Sequence, residues 1–580
     1  MHRFTENLSE RKGVVSNLHG FLNVDFNTGY SSKWSGLWVP PHKMMDYVAF
    51  RIDGDWLGPD TVTGTEYGDR IRFHHRIDDL KIVQEISAPV RKSGARIRLE
   101  VQQASQKTPL KVNAELGVDI RRRDEDINTE EYNVQEEAGL VSFRRGDQKL
   151  VASSKNGLDL QNKYMKTHYP GEKQRCLVAE ARFRNKLEKG EPVSLELTTS
   201  DGFFGSIEQP EQRLESELGP VFGGAVNSIR NLTYDYSGTG IAAGHPWFQS
   251  YWARDSFWTL LGAIDAGMFQ LARDVLSRFV EEDLCGRIKP DGDTENGMRS
   301  DTEPLFLVAA DKLRHHDRLN NTIRDGIRSI DAPKTENGVV NNHPEGTWMD
   351  TLERNSAVEI QSLWLEAAKR WDLDCRKELE KGLERFETSS YIKDTEKSEK
   401  KTINPAVPLM FGQVQHGKAL DTINSELISE YGARTLSESS PSYDPSGYHT
   451  GSTWGLTTAW AAAANITAGR DEKGTEILKK FGEFSYRGQP GALPENVDSR
   501  TGRVLGCSEQ AWSAGMISHV IDSYILGVEV EGEKVRIDPV EGLTARRTGK
   551  RIKDEKIDFR VHNGKTELLN SPDIDVEVIR

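Results

Sequence analysis

The sequence predicts a multidomain α+β protein: an antiparallel β-sandwich, then a toroid of paired helices, then a small β appendage. Three observations carry this. Up to about residue 210 apolar residues alternate with polar ones, and from about 220 to 530 they recur at helical spacing. Residues 529–580 return to short alternating segments. At roughly 100–200 residues per domain, 580 residues leave room for such a series.

In the first region, 1–210, Ile97, Leu99 and Val101 alternate with Arg and Glu. Val112, Ala114, Leu116, Val118 and Ile120 alternate with mostly polar neighbours, and "LVAEARF" and "PVSLELTT" continue the pattern. Such alternation reads as antiparallel strands with one wet face. The charged run "IRRRDEDINTEEYN" falls between strands as a solvated loop. "SIEQPEQRLESELGP" reads as a linker or linking helix, and the linker is expected over 211–235. Through 236–528 the stripes are helical: Phe257, Leu260, Leu261 and Ile264, then Leu271, Val275, Leu276, Phe279 and Val280. "VEVEGEKVRIDP" and "IDVEVIR" form the C-terminal β segment, 529–580.

The helical region has a coarse repeat. Loop-like stretches rich in Gly, Trp, Asp or Pro recur around Asp255, Asp301, Asp350, Asn404, His449 and Glu495, in steps of 46, 49, 54, 45 and 46 residues. A step of that size suits a helical hairpin repeated about six times. Each hairpin returns the chain to the same end, so the six stretches are expected to converge on one face.

Composition narrows the partners. Acidic residues (90) outnumber basic ones (76), a formal charge of −14, which argues against nucleic acid and anionic membranes and favours a neutral substrate. No apolar run is long enough to span a bilayer, and "MHRFTENLSERKGVVSN" lacks an apolar signal-peptide core, so a cytoplasmic protein is expected. Cys176, Cys285, Cys375 and Cys507 are scattered and form no CxxC, proposing neither a disulfide frame nor a zinc site. No metal and no cofactor is expected, since there is no GxGxxG or P-loop context. The pairs His74–His75 and His315–His316 lack metal spacing and read as surface.

The converging loops carry the chemistry. "GHPWFQSYWARDSFWTLLGAID" crowds aromatic rings around Arg254–Asp255 at the mouth of a helix. Aromatic rings stack on the apolar face of a pyranose while charged groups bond its hydroxyls, so Trp beside Asp, Glu and Arg suits a neutral sugar. Trp258, inside the helical stripe, reads instead as core, and Asp255 equally suits a helix start. "NNHPEGTWMDTLERNSAVEI" places Asp350 near Trp348, with Glu345 and Glu353 close by; a Gly-rich loop offers Glu495, then Glu509. Glycoside hydrolysis needs two carboxyl groups, one to protonate the leaving oxygen and one to activate water or attack the sugar.

Taken together, "PWFQSYWARDSFWTLLG", "SDTEPLFLVAADKL", "EGTWMDTLERNSAVEIQSLWLEA", "RTLSESSPSYDPSGYHTGSTWG" and "LPENVDSRTGRVLGCSEQAWSAG" resemble the successive signatures of prokaryotic-type glycogen-debranching amylo-α-1,6-glucosidases, related to glucoamylase-type inverting hydrolases. The resemblance implies an (α/α)6 barrel preceded by the family's β-domain. It implies a substrate pocket shaped by Trp252, Trp348 and Trp512, with Arg254, Asp255 and Asp301 on the hydroxyls of the terminal glucose and His449 at the rim. Asp350 takes the position of the acid in "TWMD" and Glu495 that of the base in "LPE". The implied activity is exo-acting, inverting release of glucose from α-1,6 branch points, and also α-1,4 ends, of an α-glucan. Two departures stand out. Eukaryotic debranchers carry a Glu where this chain has Thr453, so the base is assigned to Glu495; and there is no room for their transferase domain. The alternatives are a glucoamylase- or trehalase-type α-glucosidase on the same scaffold, or a non-catalytic glycan-binding protein.

Overall fold

The computed structural model describes residues 2–89, 92–104, 109–127, 131–171, 176–199, 212–297, 299–562 and 564–579. Two compact units divide the chain. The first comprises 1–206 with the short stretches 233–236 and 487–490, and the second the remainder. The start of the expected linker, at 211, lies outside the described residues. Its described part holds strand Arg213–Glu215, helix α1 (Gly219–Asn231) and strand Thr233–Asp235.

The first unit is an antiparallel β-sandwich. One sheet orders its strands 2–4, 62–67, 71–77, 80–87, 94–103, 193–198, 148–153, 140–145, 133–137. The other runs 158–165, 177–183, 112–122, 42–52, 36–39, 20–25, 12–17. Alternation drives this arrangement: Ile97, Leu99, Leu195 and Phe73 from one sheet, and Leu116, Val118, Phe50 and Val178 from the other, share one apolar core. His75, expected on the surface, is instead 2% exposed, its Nδ1 within 2.8 Å of Thr61 Oγ1 just before the neighbouring strand. Alternation places His75 on the inward face of its strand, which a bare His–His pair does not reveal.

The second unit is helical. After α1 come α2 (Ala253–Asp265), α3 (Phe269–Glu281), α4 (Thr302–His316), α5 (Asn321–Ser329), α6 (Val358–Trp371), α7 (Arg376–Glu384), α8 (Ala406–Met410), α9 (Gly417–Thr422), α10 (Gly455–Thr467), α11 (Asp471–Gly482) and α12 (Ala511–His519). The even-numbered helices neighbour one another in order: α2 on α4, α4 on α6, α6 on α8, α8 on α10, α10 on α12, and α12 back on α2. Four odd-numbered ones back them, α3 against α2 and α4, α7 against α6, α11 against α10, α1 against α12, while α5 packs on α3. Every residue of α2 is buried, including the expected stripe and Trp258. The N-terminus of each even helix follows one of the six stretches singled out by spacing. Strands 545–552 and 555–562 and the three-stranded sheet 528–531, 534–537, 575–578 complete this unit.

His316, also expected on the surface, is 3% exposed at the last turn of α4, with its Nδ1 on the carbonyl of Lys312 at 2.9 Å. The closing seam between α2 and α12 is backbone on backbone. A Cβ on Gly515 would stand 2.3 Å from Thr259 Cα, and one on Gly262 would stand 2.1 Å from the Gly515 carbonyl oxygen. Only glycine permits this approach. Gly515→Ala is expected to cost about 1–3 kcal/mol by overpacking, measured as the shift in urea-unfolding free energy of the helical unit. An unchanged midpoint and slope would mean that α2 and α12 part without penalty.

Candidate active site

Strand Phe248–Trp252 delivers the chain directly into α2, so Arg254 and Asp255 occupy its first turn, where the helix end favours negative charge. The Arg254 guanidinium then organises three loops. Its Nη1 donates to the Thr347 carbonyl at 2.8 Å and its Nη2 to Asp350 Oδ2 at 3.1 Å. Asp301 Oδ2 lies 3.6 Å from Nη1 and Asp255 Oδ2 3.9 Å from Nε. The same guanidinium is 5.8 Å from the ring centre of Trp252 and 5.7 Å from that of Trp512. Asp301 stands at the start of α4, yet its side chain makes no capping hydrogen bond and turns to the cluster instead.

The loop bearing Asp350 is clamped from behind. Arg354, fully enclosed, donates to both oxygens of Glu359, to both of Asp394 at 2.8 and 3.0 Å, and to Thr347 Oγ1 at 3.1 Å. Asn404 donates to Asp394 and accepts the Trp348 indole N–H, both at 2.7 Å. Trp348, expected to line the pocket, is 2% exposed and meets His449, Trp454, Trp460 and Trp512 edge-on. His449 stacks on Trp454, with ring centres 5.4 Å apart, and its Nδ1 is 2.7 Å from Thr351 Oγ1. Asp350 itself stays 24% exposed, open to a bound molecule.

Glu495 is placed by a two-residue ladder, Thr453–Trp454 against Asn496–Val497. Its Oε2 accepts the Cys507 backbone N–H at 2.9 Å and its Oε1 accepts the Tyr448 hydroxyl. Thr453, where the resemblance has an acid, is buried and bonded to Ser429 Oγ at 3.1 Å. Glu509 turns away, to His245 at 2.8 Å and Asn231 at 3.1 Å. Gln510 donates to Asp255 Oδ1 at 3.0 Å. All six stretches picked out by spacing are thus linked: Asp255, Asp301 and Asp350 through Arg254, Asn404 and His449 through Trp348, Glu495 through its neighbours.

Four carboxyl groups share this pocket with one guanidinium, so they cannot all be ionised cheaply. Burial, reinforced by the other carboxylates, pushes Asp255 up to about 7 against the pull of Arg254. Asp301 is likewise pushed up to about 7, by burial and then by Glu359 and Asp350. Glu495 reaches about 7 through burial and the charge of Asp350, even though Tyr448 and Cys507 stabilise its anion. Burial opposes the charge of Arg254, but Asp301, Asp350 and Asp255 hold its proton more firmly than usual. His449, buried and near Arg254 and Arg354, is lowered to about 3 and is therefore a neutral imidazole at pH 7.

Five buried polar atoms around this cluster make no hydrogen bond among the described residues: Arg254 Nε, Asp301 Oδ1, His449 Nε2, Gln510 Oε1 and Trp512 Nε1. Buried polar groups are nearly always paired, and donors mixed with acceptors match a polyhydroxylated molecule. Tyr448, Gln510 and Arg354 were not singled out from sequence, and Asn404 was marked only by the spacing of the stretches. Tyr448 and Gln510 stand within two residues of His449 and Trp512, the one signal that could have found them.

The proton held by Asp301 has a consequence for stability. Folded, the group binds its proton up to about pH 7; unfolded, only to about 3.8. Between those values the folded state holds a proton that the unfolded state releases, so this contribution to stability is lost as pH rises through the window and is gone above about 7. Asp301→Asn removes it. The variant's unfolding free energy should fall less steeply than the wild type's between pH 4 and 7, the difference approaching ~1.4 kcal/mol per pH unit. Parallel pH profiles would mean that Asp301 is ionised throughout.

Known proteins match this architecture. A family model for amylo-alpha-1,6-glucosidase matches residues 223–313, and one for the mannosylglycerate hydrolase MGH1-like glycoside hydrolase domain matches 347–513. No curated protein matches the sequence. Among solved structures, a bacterial glucoamylase complexed with acarbose shares the fold at a TM-score of 0.59 and 13% identity, over 89% of this chain and 94% of that one. A mannosylglycerate hydrolase from Thermus thermophilus in complex with glucose aligns at a TM-score of 0.44 and 14% identity, over 52% of this chain and 99% of that one. With two glycoside-hydrolase models falling on the loops that carry Arg254, Asp350 and Glu495, the chain is a glycosidase, amylo-α-1,6-glucosidase-like over 223–313, and the glucoamylase shares its fold.

Proposed function

We propose that the protein is an exo-acting, inverting α-glucosidase releasing glucose from α-1,6 branch points, and also α-1,4 ends, of glycogen- or starch-derived oligosaccharides. The observation that carries this is the ring of unpaired buried donors and acceptors around Arg254, flanked by Asp350 and Glu495. Arg254, Asp255 and Asp301 hold the hydroxyls of the terminal glucose, and Trp252 and Trp512 bound it. Trp348 supports the pocket from behind, and His449, neutral, offers Nε2. Asp350, as acid, protonates the glycosidic oxygen. Glu495, as base, takes a proton from water on the opposite face of the ring. Both Glu495 oxygens accept hydrogen bonds, an environment that suits the ionised form a base needs.

The scaffold for this chemistry is an (α/α)6 barrel over 236–528, a reading supported by the neighbour order of the even-numbered helices. The domain 1–210, the segment 211–235 and the β segment 529–580 flank it. A cytoplasmic location fits the four free cysteines. The match at 347–513 favours one second reading, a smaller α-glycoside such as mannosylglycerate as substrate. Glucose release from a branched limit dextrin, beside mannosylglycerate cleavage, decides between them. Failure on the dextrin with turnover of mannosylglycerate would replace the first reading by the second.

The two carboxyl groups separate by role. Glu495→Gln should bind maltooligosaccharide but lose at least ~10²-fold in kcat, the lower range for general acid–base help. A glucosyl fluoride, whose leaving group needs no proton, should rescue Asp350→Asn and not Glu495→Gln. Near-normal turnover by Glu495→Gln would remove it from the mechanism.

Stereochemistry gives an independent measurement. Water activated by Glu495 and attacking opposite the departing oxygen inverts the anomeric carbon. An α-linked substrate should therefore release β-glucose first, seen by proton NMR before mutarotation. Initial α-glucose would point to a covalent intermediate and defeat the base role of Glu495.

A further inference from the structure

A buried carboxylate serves as a base only when it is aimed at its water and kept ionised. The two oxygens of Glu495 are held from two different loops. Its own loop fixes Oε2, through the Cys507 N–H, and packs so closely that a Cβ on Gly506 would stand 2.3 Å from that oxygen. Oε1 is met from the preceding stretch, by the Tyr448 hydroxyl. Desolvation, and then the charge of Glu495, hold the proton of that phenol more firmly than usual, so Tyr448 is a donor at neutral pH.

Tyr448 is itself firmly mounted. Its carbonyl accepts the Ser452 hydroxyl at 2.7 Å and the Trp454 indole N–H at 2.9 Å, and its ring centre lies 4.6 Å from that of His449 and 4.7 Å from that of Trp454. The turn that carries it is closed by the Asp444 N–H on the Thr450 carbonyl at 2.9 Å. A Cβ on Gly451 would stand 2.2 Å from the Asp444 carbonyl oxygen, so only glycine closes the turn this way. Three further contacts tie the turn to the loop of Glu495. Asn496 Nδ2 donates to Ser452 Oγ at 3.1 Å, the Ser499 N–H donates to the Pro445 carbonyl at 2.9 Å, and the Tyr443 and Ser499 hydroxyls are 2.8 Å apart. Carboxylate and phenol thus sit on one body. Trp348, Trp454, Trp512 and His449 are at most 3% exposed, whereas Tyr448 is 38% exposed. Packing alone does not account for an aromatic ring left that open.

We propose that Tyr448 is the positioning residue of the base, its hydroxyl fixing the Glu495 carboxylate in the orientation that takes the proton from water and stabilising its anion; this rests on the reading of Glu495 as base. The charged groups that face Glu495 are Asp350 and Asp255, both of like sign, so the Cys507 amide and the Tyr448 hydroxyl are what favour its ionised form. A carboxylate that loses one of two donors keeps its proton to higher pH. Without the phenol, the acid limb of base-dependent turnover therefore moves upward.

Tyr448→Phe keeps the ring and deletes only the hydroxyl, so the fold is expected to survive. In carbon NMR of the full chain labelled at its glutamate carboxyl groups, the Glu495 signal is assigned by its loss in Glu495→Gln. Its midpoint should lie roughly one pH unit higher in Tyr448→Phe than in the wild type, the order expected for one donated hydrogen bond. The acid limb of kcat/KM on a glucosyl fluoride should rise by the same amount, with KM little changed. In the Glu495→Gln background, Tyr448→Phe should cost no further turnover, since it acts through the missing group. An unmoved midpoint, or a loss that persists in full without Glu495, would overturn the proposal and leave the glycosidase reading intact. A raised midpoint in a protein that releases no glucose from any α-glucoside would sink that reading, and the positioning role with it, while the hydrogen bond itself stood.

Discussion

A guanidinium withdrawn from water is tolerated only when its charge is met, and Arg254 meets that condition by drawing three loops inward while its Nε stays unbonded. It takes a carbonyl from the loop before Asp350, a carboxylate from that loop, another from the start of α4, and a third from its own helix turn. The carboxylates in turn outnumber it. The same residue therefore assembles the pocket and determines that its acids cannot all be ionised together. Assembly and proton inventory are one electrostatic problem here.

The second cation, Arg354, solves a different one. Its donors are consumed by Glu359, Asp394 and Thr347 Oγ1, and through Asn404 this reaches the indole of Trp348. Trp348 then anchors four further rings. Arg254 joins the carboxylates of the pocket, Arg354 those behind the loop, and Thr347 is bonded to both. The loop that carries Asp350 is held in this way at Thr347 and Trp348, the residues just before it.

The fold was legible because burial is periodic. The alternation at 97–101 records which face that strand hides, but at 112–120, where one wet face is expected, Glu115 and Asp119 are buried too, and α2 is buried on every side, so there the pattern marked the element and not its solvent face. The site was legible in outline because each hairpin returns the chain to one end, so residues some 45–54 apart in sequence meet. What sequence could not show were pairings with no periodic signature. Tyr448 reaches Glu495 across 47 residues and Gln510 reaches Asp255 across 255. Nor does composition reveal direction: Trp348 points into its neighbours, and His316 is enclosed beside Lys312 of its own helix and Asp265 at the end of α2.

The glycine seam between α2 and α12 joins elements that are synthesised far apart. The last residue of α2 is Asp265 and the first of α12 is Ala511. A ribosome adds about 5–20 residues per second, so α2 waits roughly 12–50 s for its partner to emerge. During that interval the faces of α2 that will meet α12, including the one around Gly262 and Thr259, have nothing of their own chain to cover them. The seam thus closes only after the growing chain has carried its α2 half uncovered through most of the helical region's synthesis.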